Sequence, residues 1–383
     1  MAMRDNTFHI GFAPSMVVGM RTQWENMRAH VLERSDVTAY VAEIDKYKAG
    51  GLVEALPLVP PVIKGNVRSI VCASSLFRAG RLDALWMHEI RPALPYVLSK
   101  GLLQHTVLVS STDSTSGLQA RFGDLYAKAP SASLRGRARD AVDTCCLTRL
   151  TALFPWSEWA ARSLRDDHDF PAHKIHVIPP GIDLDRWPMV ARQRAQDDVV
   201  RLLFVGGDFA RKGGDLLLDV FRERLQGRCE LHLVTRDDVP VQPGVFVYRS
   251  FGPNDPALRA LYARCDVFVL PTRADCFSLA SMEAMATGLP VVTAAVGGIP
   301  EIVAEGRSGF LIAPDDGIAL AQRLDTLVNA PELRVTMGAE GRRIVEARFD
   351  AARNTARLLD LTMDFCRRKE VARAGTPADQ RHA

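Results

Sequence analysis

The sequence predicts an α/β fold of two doubly wound, mostly parallel domains, and three observations predict it. Short apolar runs of strand character alternate with segments of helical spacing along nearly the whole chain, the rhythm of consecutive βαβ units. The chain has 383 residues, enough for two domains of about 100–200 residues each. Near the midpoint Pro179, Pro180 and Gly181 interrupt the rhythm, as a hinge between two such domains would.

The elements follow in order. In the first domain, residues 1–180, strand-like runs fall at 9–13, 38–42, 84–87, 106–110 and 152–154, with helical segments between them and a closing run at 174–178. The first helix follows the first strand and runs to about residue 34. In the second domain, residues 181–350, a polar segment at 192–198 precedes a strand beginning at Arg201. Further strands fall at 230–234, 245–248, 266–270 and 290–293, and helices at 216–221, 318–327 and 332–348. A last helix at 351–368 is followed by a polar tail, 369–383, whose composition predicts disorder.

Composition narrows the function. The hydrophobic fraction of 47% suffices for two filled cores, and 48 Lys and Arg nearly balance 45 Asp and Glu, so a net charge of +3 gives no reason to expect nucleic acid. No apolar run approaches the ~18–20 residues of a spanning helix, and the first residues lead into a strand without a signal-peptide core, so a cytoplasmic protein is expected. The basic helical segment holding Arg135, Arg137 and Arg139 could lie on the inner membrane face, although a solvated helix face is the plainer reading. The seven cysteines are odd in number and lack paired metal-ligand spacing, which predicts reduced core thiols and no metal site.

Two segments carry chemistry. Arg201 to Asp215 reads as a strand, a glycine turn with Gly206 and Gly207, and a helix start, with Arg211 and Lys212 supplying positive charge where glycine lets a backbone approach a phosphate. In 273–292 two carboxylates, Asp275 and Glu283, flank a helix start at Ser278 and Leu279, whose first-turn N–H groups suit an anionic, polyhydroxylated ligand. A carboxylate can hold sugar hydroxyls, and one can span the two vicinal hydroxyls of a ribose. Each segment alone has a plainer reading, since glycine turns occur in any doubly wound sheet and an Arg-Lys pair is usually solvated. Asp183 and Asp185 have the spacing of a metal motif but follow the hinge, where capping is expected. Cys276 lies beside Asp275, where a helix N-terminus would lower its pKa; a chemical role is disfavoured.

Together these segments, with Ala295 to Val303 (including Gly297-Gly298-Ile299-Pro300-Glu301), Gly306 to Leu311 and Ile178-Pro179-Pro180-Gly181-Ile182-Asp183, resemble retaining, nucleotide-sugar-dependent glycosyltransferases of the GT-B fold, the family 4 or group 1 type that includes bacterial mannosyl- and glucosyltransferases. The resemblance covers most of the second half. It implies two Rossmann-like domains facing each other across a cleft, a last helix crossing back to the first domain, and a UDP- or GDP-linked sugar as donor. It further implies that Arg211 and Lys212 hold the leaving diphosphate in place of a metal, that Asp275 meets the sugar, and that Glu283 holds the ribose. Gly19, Arg21, Gly206, Gly207, Phe277, Ser278 and Leu279 would line the donor, and helix starts near Ser278 and Gly298 would add positive potential. His88, at a strand's carboxyl end, would touch the transferred sugar or serve the structure. Asp113 would meet an acceptor hydroxyl or cap a helix. The acceptor class stays open among glycan, lipid-linked and small-molecule hydroxyls, as does the oligomeric state.

The chain departs from the family pattern twice. Gly19 and Met20 stand where a glycine pair is usual, and Asp275 stands where glutamate is common. Two other readings use the same scaffold: a nucleotide-sugar epimerase or phosphorylase-like enzyme, and a catalytically silent nucleotide-sugar-binding subunit.

Overall fold

The computed structural model describes residues 7–45, 75–76, 80–90, 105–126, 134–191, 199–240 and 242–374. The first sheet comprises β1 (Phe8–Ala13), β2 (Val37–Val41), β3 (Ala84–His88), β4 (Val107–Thr112) and β5 (Ala152–Pro155), in the order β2-β1-β3-β4-β5. All its strand pairs are parallel, for example Phe12 beside Trp86 and Trp86 beside Val109. β3, β4 and β5 are buried at every position, which is why they read as continuous apolar runs and not as an alternation. Around this sheet lie α1 (Val18–Leu32), α2 (Ser116–Arg121), α3 (Leu134–Leu147) and α4 (Glu158–Asp166).

The second sheet comprises β6 (Val200–Val205), β7 (Cys229–Val234), β8 (Val245–Tyr248), β9 (Val267–Leu270), β10 (Val291–Ala294) and β11 (Gly309–Ile312). It too is parallel, in the order β11-β10-β9-β6-β7-β8. Its helices are α5 (Gly214–Val220), α6 (Pro256–Arg264), α7 (Leu279–Ala286), α8 (Gly317–Asn329) and α9 (Pro331–Arg348). Strand order reverses between β6 and β9, so the loops leaving those strands open the crevice in which such sheets bind ligands. The described residues thus form two parallel-sheet α/β domains, as the resemblance implied.

α10 (Ala351–Ala374) lies on the first sheet, where Leu358, Leu359, Met363 and Cys366 pack with Ile10, Phe12, Trp86 and Phe154. At the crossover Gly181 sits against the backbone of Ala351, and Asn354 donates to the carbonyls of Pro179 at 3.1 Å and Arg348 at 2.9 Å.

Three details differ from the sequence reading. α10 continues past Arg368 to Ala374, and Lys369 donates to the Thr106 carbonyl at 2.8 Å, which ties the extra turn to the first sheet. β11 is a strand that the sequence reading did not name, although Phe310-Leu311-Ile312 is apolar; it opens with Gly309, which lies against the backbone of Val291 where a side chain would collide. The helix start expected near Gly298 is a single 3-10 turn, Ile299–Glu301; Ile302 and Val303 bury themselves in the core and Ser308 takes the N–H of Ala304 at 2.9 Å, turning the chain toward β11. The basic stretch at Arg135 and Arg139 and the tail beyond residue 374 lie outside the described side chains.

Candidate active site

Sterics shape the loop after β6. A Cβ on Gly206 would stand 2.9 Å from the Phe204 ring and 3.0 Å from Lys212 Cβ. Gly213 has φ +74° and lies against the Pro271 carbonyl, while Gly214 lies against the Phe209 ring. Only glycine fits these positions, and the tight turn they permit delivers Lys212 to the loop after β9. There its ammonium forms an ion pair with the Asp275 carboxylate, both side chains largely buried (15% and 6% exposed). Gly207 differs: its added Cβ would meet nothing within 4 Å, so packing does not explain the glycine.

Arg211 is fixed beside this pair. It bonds Asp208 at 3.0 Å and the Ala274 carbonyl at 2.8 Å, and its guanidinium lies 4.9 Å from the ring centre of Tyr126 in the first domain. Arg273 braces the loop from behind: its N–H donates to the Arg211 carbonyl at 2.9 Å, and its side chain pairs with Asp215 and Asp315, each at 2.6 Å. Two cations and one carboxylate therefore converge at the switch point of the second sheet.

Ser278 caps α7, its hydroxyl accepting the Ser281 N–H at 3.3 Å. Phe277 packs edge-on between Trp156 of the first domain and Phe349, at 6.1 and 6.2 Å, and Leu279 is buried behind it. Glu283 is buried in the seam between α7 and α6, where its carboxyl accepts a 3.1 Å hydrogen bond from the Tyr262 hydroxyl. Burial pushes its pKa up to about 8, against the lowering effect of that hydrogen bond. Cys276 reverses the expectation: its thiol pKa is raised well above the usual value, by burial first and then by the Asp113 charge, so the nearby helix start does not activate it.

The first domain supplies a different kind of wall. His88 is fully buried, its Nδ1 accepting the Ser15 N–H at 3.1 Å, which leaves Nε2 as the donor to Gln23 Oε1 at 2.6 Å. Burial depresses its pKa to about 3, so the ring is neutral and both nitrogens are engaged by the β1–α1 region. Gly19 is exposed with nothing near its missing Cβ, and Arg21 is exposed and paired with Glu25 at 2.7 Å. Met20, in place of a second glycine, is buried and joins the apolar cluster of the second domain, which gives that departure a packing role across the cleft.

Asp113 is not a helix cap. Thr115 caps α2, accepting the Leu118 N–H at 3.2 Å, whereas Asp113 accepts the Ser114 hydroxyl at 2.7 Å and lines a cavity of about 60 Å3 with Glu89, Thr112, Ser116, Gln119 and Asp143. Burial, with the charges of Glu89 and Asp275, raises its pKa to about 7. Asp183 closes a turn and caps no helix, accepting the N–H groups of Asp185 and Arg186 at 3.2 Å each. Among the described residues no group of three metal-ligating side chains occurs, and no helix is long and apolar enough to cross a membrane. The structure thus gathers Arg211, Lys212 and Asp275 with Tyr126, and sets Trp156 against Phe277 and Glu301 against the start of α4; sequence reading assigned none of Tyr126, Trp156 and Glu301 to the site. Glu301 stood in a quoted motif; Tyr126 and Trp156 carried no pattern to mark them.

Both halves of the chain are similar to known proteins. Residues 19–186 match the family described as Glycosyltransferase Family 4, and residues 199–330 match Glycosyl transferases group 1. Over 200 residues the chain is 42% identical to D-inositol 3-phosphate glycosyltransferase of Corynebacterium efficiens, covering 45% of this chain and 47% of that one. Over 206 residues it is 29% identical to MMP alpha-(1->4)-mannosyltransferase of Mycolicibacterium hassiacum, covering 51% and 49%. The match spans about half the length of these relatives. Among solved structures, sucrose-phosphate synthase from Thermosynechococcus elongatus superposes with TM-score 0.74 at 18% identity, covering 93% of this chain and 98% of that one. HepE of Anabaena in complex with UDP-glucose superposes with TM-score 0.66 at 16% identity, covering 93% and 99%.

Proposed function

The chain belongs to the group 1, family 4 glycosyltransferases, and from that premise we propose that it moves a hexose from a nucleoside-diphosphate sugar to a hydroxyl acceptor, with retention at the anomeric carbon and without a metal ion. The observation that carries the proposal is the convergence of Lys212, Arg211 and Asp275 where the strand order of the second sheet reverses.

In this reading the two cations take the charge that grows on the departing diphosphate, an effect for which one well-placed group is typically worth about 3–4 kcal/mol. Asp275 takes sugar hydroxyls, and its short side chain already reaches the Lys212 ammonium, so one donor would meet both ends of the pair. Gly207 leaves the diphosphate room to approach the backbone. Glu283 is the proposed ribose ligand, held in reserve by Tyr262. The acceptor enters from the first domain and attacks from the face the diphosphate leaves, with Asp113 and the hydroxyls of its cavity orienting it. His88 acts by fixing the β1–α1 turn that presents Gly19 and Arg21, through Ser15 and Gln23. A UDP- or GDP-linked donor, no cofactor and a reducing cytoplasmic setting complete the reading; none of the described cysteines forms a disulfide.

The test is a panel of labelled UDP- and GDP-sugars incubated with the protein, scored for transfer to hydroxyl acceptors and for slow donor hydrolysis, with Lys212→Ala as the reference. Release of nucleoside diphosphate by wild type above that variant is expected for at least one donor. Equal, background-level release for every donor would leave a silent binding subunit as the better description.

A further inference from the structure

A single carboxylate bridges the two domains beside the site. Glu301 belongs to the second domain, at the end of the 3-10 turn that follows Gly297 and Gly298. Its two oxygens accept the backbone N–H groups of Glu158 and Trp159, each at 2.8 Å. These residues begin α4 in the first domain, and the next N–H, that of Ala160, is held by the helix's own Ser157 hydroxyl at 3.1 Å. A helix leaves its first N–H groups unpaired and its N-terminus positive, so α4 has a built-in demand for an anion. Here that demand is met from the other domain.

The bridge rests directly on the catalytic loop. Gly297, with φ +57°, lies against the Asp275 carbonyl, and Gly298 donates to the Cys276 carbonyl at 2.9 Å. A Cβ on Gly298 would stand 3.0 Å from Ser157 Cβ and 2.9 Å from the Phe277 ring, so the turn is wedged between α4 and the segment that carries Asp275. From behind, Arg348 donates to the Glu301 carbonyl at 2.8 Å and anchors the turn on α9.

We infer that Glu301 is a positioning residue that couples the approach of the two domains to the placement of Asp275, by capping α4 across the cleft. The coupling stands on the geometry alone; its consequence for sugar transfer rests on the glycosyltransferase reading. With the cap made, the second domain cannot rotate away from α4 without exposing two N–H groups and a carboxylate, and water stays out of the space around Asp275. Without it, the domains sample wider separations and a bound donor meets water more often than acceptor.

The experiment compares wild type with Glu301→Ala, Glu301→Gln and, as a control, Ser157→Ala, which removes the helix's own cap and leaves the bridge. On the full chain without ligand, Glu301→Ala is expected to speed hydrogen exchange at the Glu158 and Trp159 amides by roughly tenfold, to spare Ala160, and to increase the radius of gyration in small-angle X-ray scattering. Glu301→Gln, which keeps one acceptor oxygen, should fall between. Ser157→Ala should do the reverse, releasing Ala160 without expanding the molecule. With a donor that wild type turns over, Glu301→Ala should raise the ratio of hydrolysis to transfer. Unchanged exchange at both bridged amides, or an unchanged radius of gyration, would overturn the coupling. If coupling is seen while no donor is turned over by wild type, the transferase reading fails and the bridge survives.

Discussion

The two faces of the cleft are built on opposite plans. On the second domain, Gly206, Gly213, Gly214 and Gly297 are packed so closely that a methyl group would collide, and the turns they permit bring Lys212 and Asp275 into contact. On the first domain, Gly19 has free space around it, His88 is sealed and neutral inside the domain, and the polar groups of Asp113 and its neighbours line a cavity. Backbone sterics fix the charged half of the site. Side chains from separate strand ends shape the other half, which the proposed function gives to the acceptor.

That contrast breaks first at Lys212. Lys212→Ala is expected to lower kcat by roughly 10²–10³-fold if, as proposed above, the ammonium acts on charge that appears only as the diphosphate leaves. The comparison is made on protein whose far-UV circular dichroism matches wild type. A kcat within a few-fold of wild type would show that the charged half of the site is not where catalysis happens.

The glycines sharpen the contrast in stability. Gly213→Ala places a side chain at positive φ against the Pro271 carbonyl, and a loss of roughly 2–4 kcal/mol is expected in urea denaturation. Gly207→Ala and Gly19→Ala meet no atom and should stay within about 0.5 kcal/mol, with Gly207→Ala instead weakening nucleoside diphosphate binding in calorimetry. Equal stability losses at Gly213 and Gly207 would refute the steric account of the cradle.

Stability against pH reads both faces at once. Glu283 in the folded chain has a pKa of about 8 against an ordinary 4.5, and Asp113 about 7 against 3.8, so the folded state holds protons that the unfolded chain has released. Their contributions are intact below pH ~4 and are lost as pH rises from there toward 8. His88 has the opposite sign: lowered to about 3 from 6.5, it contributes above pH 6.5 and loses that contribution as pH falls toward 3. Glu283→Gln should therefore flatten the alkaline arm of a plot of urea midpoint against pH and leave the acidic arm in place. An unchanged alkaline arm would mean that Glu283 is not the buried proton carrier.

How much of this was legible in the sequence follows from the same contrast. Continuous apolar runs such as Val267-Phe268-Val269-Leu270 announced the buried parallel strands, and glycines next to a basic pair announced the tight turn that brings Lys212 to Asp275, because backbone geometry that only glycine can adopt leaves a mark in sequence. β11 left only three apolar residues, Phe310-Leu311-Ile312, a run too short to mark a strand by itself, behind a glycine required by close approach to β10. Glu283 was visible as a carboxylate in an apolar helix; its partner was not, because Tyr262 lies in a different helix. Likewise the buried network of His88 joins residues far apart in the chain, Ser15 and Gln23, that no local pattern links. Contacts between domains were the least legible, since a helix start such as α4 shows that it needs an anion without showing where the anion comes from.

Tyr126 is where the smallest effect is expected, and it tests whether the first domain supplies shape or chemistry. Its ring faces the Arg211 guanidinium at 4.9 Å, an arrangement worth about 0.5–1 kcal/mol at a partly exposed site. Arg211 keeps its bonds to Asp208 and Ala274 when the ring is removed, so Tyr126→Leu should raise the donor KM about 2–5-fold and leave kcat near wild type. Tyr126→Phe retains the ring and should match wild type in both. If Phe and Leu instead lose kcat equally, the hydroxyl and not the ring is the working group. The first-domain face would then take part in the reaction itself, and the division between a charged half and a shaping half would no longer hold.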